Sequence, residues 1–529
     1  MAGAGWIERL RRSLSGGAWP FDGRRRPASP GAYLARRQRR RILGLFAALA
    51  VLGLIGAGGF LYLRRGGRQH VAANPSIVVL PFANLGGDPA EDYFADGMTE
   101  EIQGALSQIP GLRVIGRTTS FALRGTAPDR AELRARLGVT AVLEGSVRRS
   151  GNRLRVAAQL VDTRDGYQIW SQSFDRKAGD VLAVQDEIGQ AVVQALQPTL
   201  VPGARKEALA RPVVPEAYNQ YLLARRFLAP SSQEGFLRAT TASEKAIALS
   251  PRFAPAWATL AAAFGGLADY AESPGEIAAN QAKAIAAAAR AVELDPGLAE
   301  AYAIRGQLLA QTTWDWEAAG EDFDRALALA PGDADILRKR GAWLLAPQGR
   351  LSEAIQDLRR STELDPLSVS GWTSLGFLQA SVTQGADGER ALLRALEIDP
   401  ENDYVRQALG VRHLLGKDPV AALAQFGRCG AGMWRVRGTA LAEHDLGHAR
   451  EADAALGELT ARYAVPSPFQ IAEVHAWRGE ADQAFLWLEK AFAARDGGLM
   501  LLQWDPLLAP IRGDPRMAQL LRRMNVNPG

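Results

Sequence analysis

The sequence predicts a multi-domain chain: one transmembrane helix, a small mixed α/β domain, then an all-α repeat solenoid. Three observations predict it. Residues 42–63 are an unbroken apolar run, residues 75–200 alternate short apolar runs with amphipathic stretches, and prolines recur at near-constant intervals from Pro251 to Pro400. A chain of 529 residues is also too long for one hydrophobic core, which stops growing beyond about 250–300 residues.

The run Ile42–Leu63 (ILGLFAALAVLGLIGAGGFLYL) holds 22 residues and no charge. As a helix it is about 33 Å long, which matches a bilayer core. Eleven Arg precede it and three follow closely: Arg64, Arg65 and Arg68. The positive-inside rule then predicts a cytoplasmic N-terminus and export of everything after about residue 70. The stretch before the run is too long for the n-region of a cleaved signal, so an uncleaved anchor is expected. Gly44 with Ala48 and Gly53 with Ala57 form small-xxx-small pairs, a candidate surface for self-association through the span. In the Arg-rich tail, residues 1–41, Trp6, Ile7, Leu10 and Leu14 recur at helical spacing. Two readings stand: a short helix on anionic lipid, or a disordered arm whose Arg only set topology.

Charge is localised. Residues 1–70 carry fourteen Arg against Glu8 and Asp22, a net +12, which leaves −7 for the rest of a chain whose total is +5. The folded part therefore lacks the basic footprint that nucleic-acid binding needs. Cys429 is the single cysteine, so no intramolecular disulfide forms.

Residues 75–200 are expected to fold as one α/β unit of order β-α-β-α-β-β-β-α. Ile77–Phe82 is a short buried strand. Ile102, Ala105, Leu106 and Ile109 mark a helix with Glu100 and Glu101 early in it, where the helix dipole favours them. Arg113–Arg117 is the next strand. Asp129 with Glu132 forms a capping box for a helix that stops at Gly138. Ala141–Arg148, Leu154–Val161 and Tyr167–Phe174 are strands joined by Ser150-Gly151-Asn152 and Asp165-Gly166 turns. Val184, Ile188, Ala191, Val192 and Ala195 line a closing helix. Asp88, Glu91, Asp92 and Asp96 cluster in the first loop, but their spacing fits no EF-hand.

The stretches PFANLGGDPAEDYFADGMTEEI, LRVIGRTTSFALRG, LGVTAVLEGSVRRSGNRLRVAAQLVDTRDGYQIWSQSFDR and VLAVQDEI occur in that order. Together they resemble the TolB amino-terminal-like domain of bacterial signalling and envelope proteins. The resemblance implies an α/β domain that follows a transmembrane helix and precedes tetratricopeptide (TPR) repeats. It also implies the periplasmic side of a bacterial inner membrane. Family members carry a DNA-binding, cyclase or kinase domain on the cytoplasmic side, whereas this chain has only the Arg-rich tail there. The resemblance implies no catalytic residues in the α/β domain.

From Pro215 the phrases ALSP, ELDP, ALAP, ELDP and EIDP close on Pro251, Pro296, Pro331, Pro366 and Pro400, at intervals of 45, 35, 35 and 34 residues. The TPR period is 34 residues. Trp372-x-x-Leu375-Gly376, Ala319-x-x-x-Phe323-x-x-Ala326 and Ala422-x-x-x-Phe426-x-x-Cys429 resemble the TPR consensus. About eight helical pairs are expected over residues 215–495, with residues 496–529 capping the open end. Each pair buries its face only against its neighbours, so the array forms a superhelix with a concave groove.

No P-loop, dinucleotide fingerprint or nucleophile elbow stands at a strand-to-helix turn, so no enzyme, cofactor or metal site is expected. His444 and His448 are four apart with Gly447 between them, and exposed helix-end histidines are the plainer reading. Cys429 falls where the repeat wants a small packing residue. The function expected is a membrane-tethered protein-interaction scaffold on the periplasmic side. The alternative is a sensory component that transmits a signal to a separate cytoplasmic cyclase, kinase or transcription regulator. The groove is expected to hold a protein or peptide, with Arg305, Arg338, Arg340, Arg406 and Arg412 lining it and favouring carboxylates.

Overall fold

The computed structural model describes residues 75–527 apart from 126–128, 197–212, 230, 272 and 383–385. It corrects the expected fold class. The architecture is mostly helical with a repeat solenoid, and among the described residues no helix is long and apolar enough to cross a membrane. The most apolar, Ala254–Ala268, is too short to span, and the longest, Pro274–Leu294, carries Glu276, Lys283, Arg290 and Glu293. The expected span 42–63, the tail 1–41, and the topology and self-association drawn from them lie outside the described residues.

Strand β1 (Ser76–Val79) is buried at every residue. It pairs in parallel with β3 (Arg113–Val114) on one side and β4 (Ala141–Ser150) on the other. β4, β5 (Arg153–Asp162) and β6 (Gln168–Lys177) form an antiparallel meander, and the short β2 (Ala83–Asn84) pairs with β4. The order across the sheet is β3-β1-β4-β5-β6. Alternation along β1 divides the core. Ile77 and Val79 face α1 (Asp92–Ser107) and α4 (Val181–Leu196), and Val78 joins Ile115, Val142 and Leu133 of α3 (Arg130–Leu137) on the other side. The strand expected at Arg113–Arg117 is only two residues long. Gly116 is the N-cap of a helix the sequence reading missed, α2 (Arg117–Ala122).

Eight antiparallel helix pairs follow among the described residues. They are α5/α6 (Pro215–Leu228, Gln233–Leu249), α7/α8 (Ala254–Ala268, Pro274–Leu294), α9/α10 (Ala299–Thr312, Trp316–Leu329) and α11/α12 (Ala334–Lys339, Leu351–Leu364). Then come α13/α14 (Val369–Val382, Asp387–Ile398), α15/α16 (Asp403–Leu415, Pro419–Gly427), α17/α18 (Met433–Asp445, Ala449–Tyr463) and α19/α20 (Pro468–Trp477, Ala481–Ala494). α11 runs on into a π-helical turn, Arg340–Leu345. First helices of successive pairs touch one another, so they form the inner layer of the superhelix. Packing explains the repeat's small residues. A Cβ on Gly410 or Gly438 would lie 2.3 or 2.1 Å from the Phe426 ring, so only glycine lets α15 and α17 close on that ring.

The α/β unit and the solenoid share a core. Phe94, Met98 and Ile102 of α1 pack in one cluster with Tyr218, Tyr221 and Leu222 of α5 and Phe253. The unit also sits along the turns between repeats. Gly116 N donates to Leu364 O at 2.7 Å. Asp365, the aspartate of the second ELDP phrase, caps α2 from a turn of the solenoid. Its Oδ1 accepts from Thr119 N at 2.8 Å and Thr119 Oγ1 at 2.6 Å, and its Oδ2 from Thr118 N at 3.2 Å. Arg225 of α5 bridges Glu100 of α1 and Glu300 of α9 at 3.0 and 3.1 Å. Three donors on a buried carboxylate make the Asp365 cap the strongest of these ties. Asp365→Ala is expected to destabilise the junction by about 1–2 kcal/mol and to speed amide hydrogen exchange across α2. Unchanged exchange at Thr118 and Thr119 would show that the cap is dispensable.

Candidate functional site

The inner layer is where a solenoid meets a partner, so its side chains define the site. The five expected arginines divide by what they touch. Arg305 forks onto Asp322 of the paired helix at 2.7 and 2.6 Å, and Arg340 forks onto Asp357 at 2.7 and 3.0 Å. Both pairs link a first helix to its second helix across seventeen residues. Both carboxylates are buried. Arg338 lies on its own helix's Asp335 at 2.6 Å. Arg406 donates to Pro400 O, and Trp257 and Trp372 donate likewise to Pro251 O and Pro366 O, each six residues after the turn proline. Arg412 is half-buried, and its Nε finds no acceptor. Arg305 and Arg340 thus lock a repeat to itself, and Arg406 ties its helix to the turn before it.

A different group gathers on the inner layer further along. Phe377 of α13, Tyr404 of α15 and Trp434 of α17 form a strip of rings, with centroids 6.1 and 5.4 Å apart and near-perpendicular planes. Such edge-to-face contacts suit the ring quadrupoles. Arg437 lies over Trp434 at 5.4 Å and donates to Gln407 at 2.9 Å. Its Nε is 2.8 Å from Glu473 of α19, an ion contact without the alignment of a hydrogen bond. Arg437, Glu473 and Gln407 are all buried, whereas Tyr404 keeps 39% of its surface exposed. Burial first, then the neighbouring Asp505, pushes the Glu473 carboxyl well above the usual range against the pull of Arg437.

The remaining candidates are structural. His448 Nδ1 meets Glu443 at 2.7 Å and His475 Nδ1 meets Glu480 at 2.5 Å, each across a turn within a pair. Cys429 is fully buried with its Sγ near Asp403 O, and burial pushes its thiol up. In the acidic loop Asp92 accepts from Asn84 and Asp96 pairs with Arg124. Among the described residues no three metal-ligating side chains converge. Sequence reasoning missed the Arg437–Glu473 group because its members are spread over three repeats with no common motif.

No protein-family model matches the chain. Over 192 residues, 36% of its length, it is 41% identical to a Rhizobium meliloti protein named "Putative adenylate cyclase 3". Over 93 residues, 18% of its length, it is 33% identical to a Triticum aestivum protein named "Hsp70-Hsp90 organizing protein". The chain spans 33% and 16% of these two relatives. Among solved structures, yeast Tom70 is similar over 65% of this chain and 78% of its own, at 16% identity and a TM-score of 0.37. PilF of Pseudomonas aeruginosa is similar over 42% of this chain and 96% of its own, at 19% identity and a TM-score of 0.33. The helix pairs, their proline-closed phrases and their Gly/Phe packing make the array one of TPR type.

Two stability measurements separate lock from lining. Arg340→Ala leaves Asp357 buried and unpaired and is expected to cost about 3 kcal/mol. Arg338→Ala removes a pair whose acid is 56% exposed and is expected to cost less than about 0.5 kcal/mol. Denaturant unfolding of the full chain reads both, and equal losses would contradict the division. Glu473 sets a pH dependence through Arg437 on α17 and through Asp505 and Asp496 from the C-terminal segment. Burial favours its neutral form, so the stability it contributes is full below about pH 4.3, the unfolded value. That contribution is lost as pH rises through the higher folded value. Glu473→Gln keeps the neutral shape, and its melting temperature is expected to gain on the wild type as pH is raised from about 5 to about 8. Parallel pH profiles would rule out this role for Glu473.

Proposed function

We propose that this chain is a non-catalytic scaffold whose TPR-type array holds a segment of a partner protein along its inner helices. One observation carries the reading: the ring strip from Phe377 to Trp434 reaches solvent at Tyr404 on the layer that first helices build. An aromatic strip beside buried charged groups is the composition of a protein-binding surface. The wheat relative is named for organising two other proteins, which fits the same reading. Arg338 and Arg412 add positive charge to the lining, while a carboxylate approaching Arg305 or Arg340 would compete with Asp322 or Asp357. The α/β unit, in its resemblance to TolB amino-terminal-like domains, serves here as the brace on the turn edge of the array.

A second reading has its own support. The Rhizobium relative is named as an adenylate cyclase, so the chain fits a regulatory component that acts with a separate effector such as a cyclase. The scaffold reading is tested by photo-crosslinking in cells. A benzophenone amino acid at Tyr404, on the inner layer, is expected to capture a polypeptide, and the same group at Leu393, exposed on the second helix α14, is not. Capture from Leu393 alone would overturn the assignment of the inner face. Formation of cyclic AMP from ATP by the purified chain would overturn the non-catalytic reading.

A further inference from the structure

The inner face at the ring strip is not empty of polypeptide. After α20 the chain makes two 3-10 turns, Gly497–Leu501 and Pro506–Ile511, and a last helix, α21 (Pro515–Arg523). Arg516 and Arg523 of α21 pair with Asp482 and Glu489 of α20. The segment between these elements goes elsewhere. Trp504 sets its ring edge-on against Phe377 at 5.4 Å and so extends the strip by one ring. Asp505 follows it into the Arg437–Glu473 group and is buried with 1% of its surface exposed. Its Oδ1 accepts from Leu507 N at 2.8 Å, and its Oδ2 meets no aligned donor. Gln503 lies against Gly349 in the turn between α11 and α12.

The third repeat is shaped to receive this segment. Trp316 Nε1 donates to Met524 O at 2.7 Å, and Asn525 Nδ2 donates to Trp314 O at 3.2 Å. Trp314 has φ +53, in the left-handed region that costs a side chain about 1–2 kcal/mol. In the equivalent turns, immediately before the N-cap of the second helix, Ser231, Gly349, Lys417, Gly447 and Gly479 also take the positive φ. Trp314 is the largest side chain in this position, and its ring is packed away: it is 2% exposed, 4.8 Å from Phe492 and 3.6 Å from Arg495. Trp343, inside the π-helical turn, joins the same cluster, and such turns recur at functional positions.

We propose that Trp504-Asp505 is a resident ligand of the inner face, and that a partner binds there by presenting an aromatic side chain followed by a carboxylate and displacing it. This rests on the reading of the array as a peptide-binding scaffold. The occupant displays what the site accepts. The slot beside Phe377 takes a flat ring, and the group around Arg437 takes an acid. The fit of Asp505 is also incomplete, because Glu473 already balances Arg437 and Oδ2 of the second acid meets no aligned donor. A segment held by a good aromatic contact and a poor ionic one is suited to exchange.

The test uses the full chain and a fluorescein-labelled peptide of the sequence LQWDPLLA, residues 502–509, with binding read by anisotropy. Trp504→Ala and Trp504→Leu each vacate the ring slot, and the leucine keeps apolar volume should the alanine chain fail to fold by circular dichroism. The folded variant is expected to bind the peptide about tenfold more tightly than the wild type, the change that about 1.4 kcal/mol of lost competition gives. Adding Phe377→Ala to that variant, or replacing Trp by Ala in the peptide, is expected to abolish the gain. Equal binding to wild type and variant, or no binding to either, overturns the proposal. Capture from Tyr404 in the crosslinking experiment, with no gain in the peptide experiment, leaves the scaffold standing and removes the resident ligand alone.

Discussion

Helix pairs that bury their apolar faces only against adjacent pairs leave two ends and two edges of turns open to water. Most of the non-repeat structure of this chain answers that constraint. The first end is closed by α1, whose Gly97 approaches α5 so nearly that an added Cβ would lie 2.3 Å from Leu222. The edge of turns between repeats is bonded by α2 through Asp365 and by Arg225 between Glu100 and Glu300. The last end is closed by α21, and the turn at Trp314 is covered by Phe492 and Arg495. The α/β unit and the C-terminal segment are thus both parts of the solenoid's packing, attached at different boundaries.

The repeats were legible because their packing is local. Proline-closed phrases, small residues and ring positions recur at one period, and neighbours in space are neighbours in sequence. The antiparallel strands were legible for the same reason: Gly151 and Gly166 take positive φ at their turns. What was not legible depends on contacts between distant segments. The reading of Arg113–Arg117 as a strand failed because the acceptor that starts α2 is Asp365, 246 residues away. The arginines of the first helices were visible as charges on an inner face. Their partners, Asp322 and Asp357, stand at a fixed offset in two successive repeats, a regularity that the pairing of helices had to reveal.

Charge inside the array follows one rule in two versions. Where an arginine and an aspartate are matched one to one, as at Arg305–Asp322 and Arg340–Asp357, each carboxylate accepts two guanidinium donors, and the pair fixes the angle between two helices. Where two acids meet one arginine, as at Glu473, Asp505 and Arg437, the count is uneven, and burial pushes the Glu473 carboxyl up. The matched pairs lie within single repeats. The uneven group lies where the repeat array meets a segment that is not a repeat.

That difference bears on how the solenoid moves. A superhelix held only by neighbouring contacts bends along its whole length, because no contact spans distant repeats. Here the third repeat is tied to the C-terminal segment through Trp314, Trp316 and Asn525, and the fifth repeat to the same segment through Phe377 and Trp504. The first tie meets the turn where Trp314 stands in the left-handed region, and the second meets Phe377, a buried core residue of its repeat. Release of the segment would free the inner layer and remove both of these ties together. Opening of the binding face and loosening of the superhelix are therefore the same event, because one segment holds both.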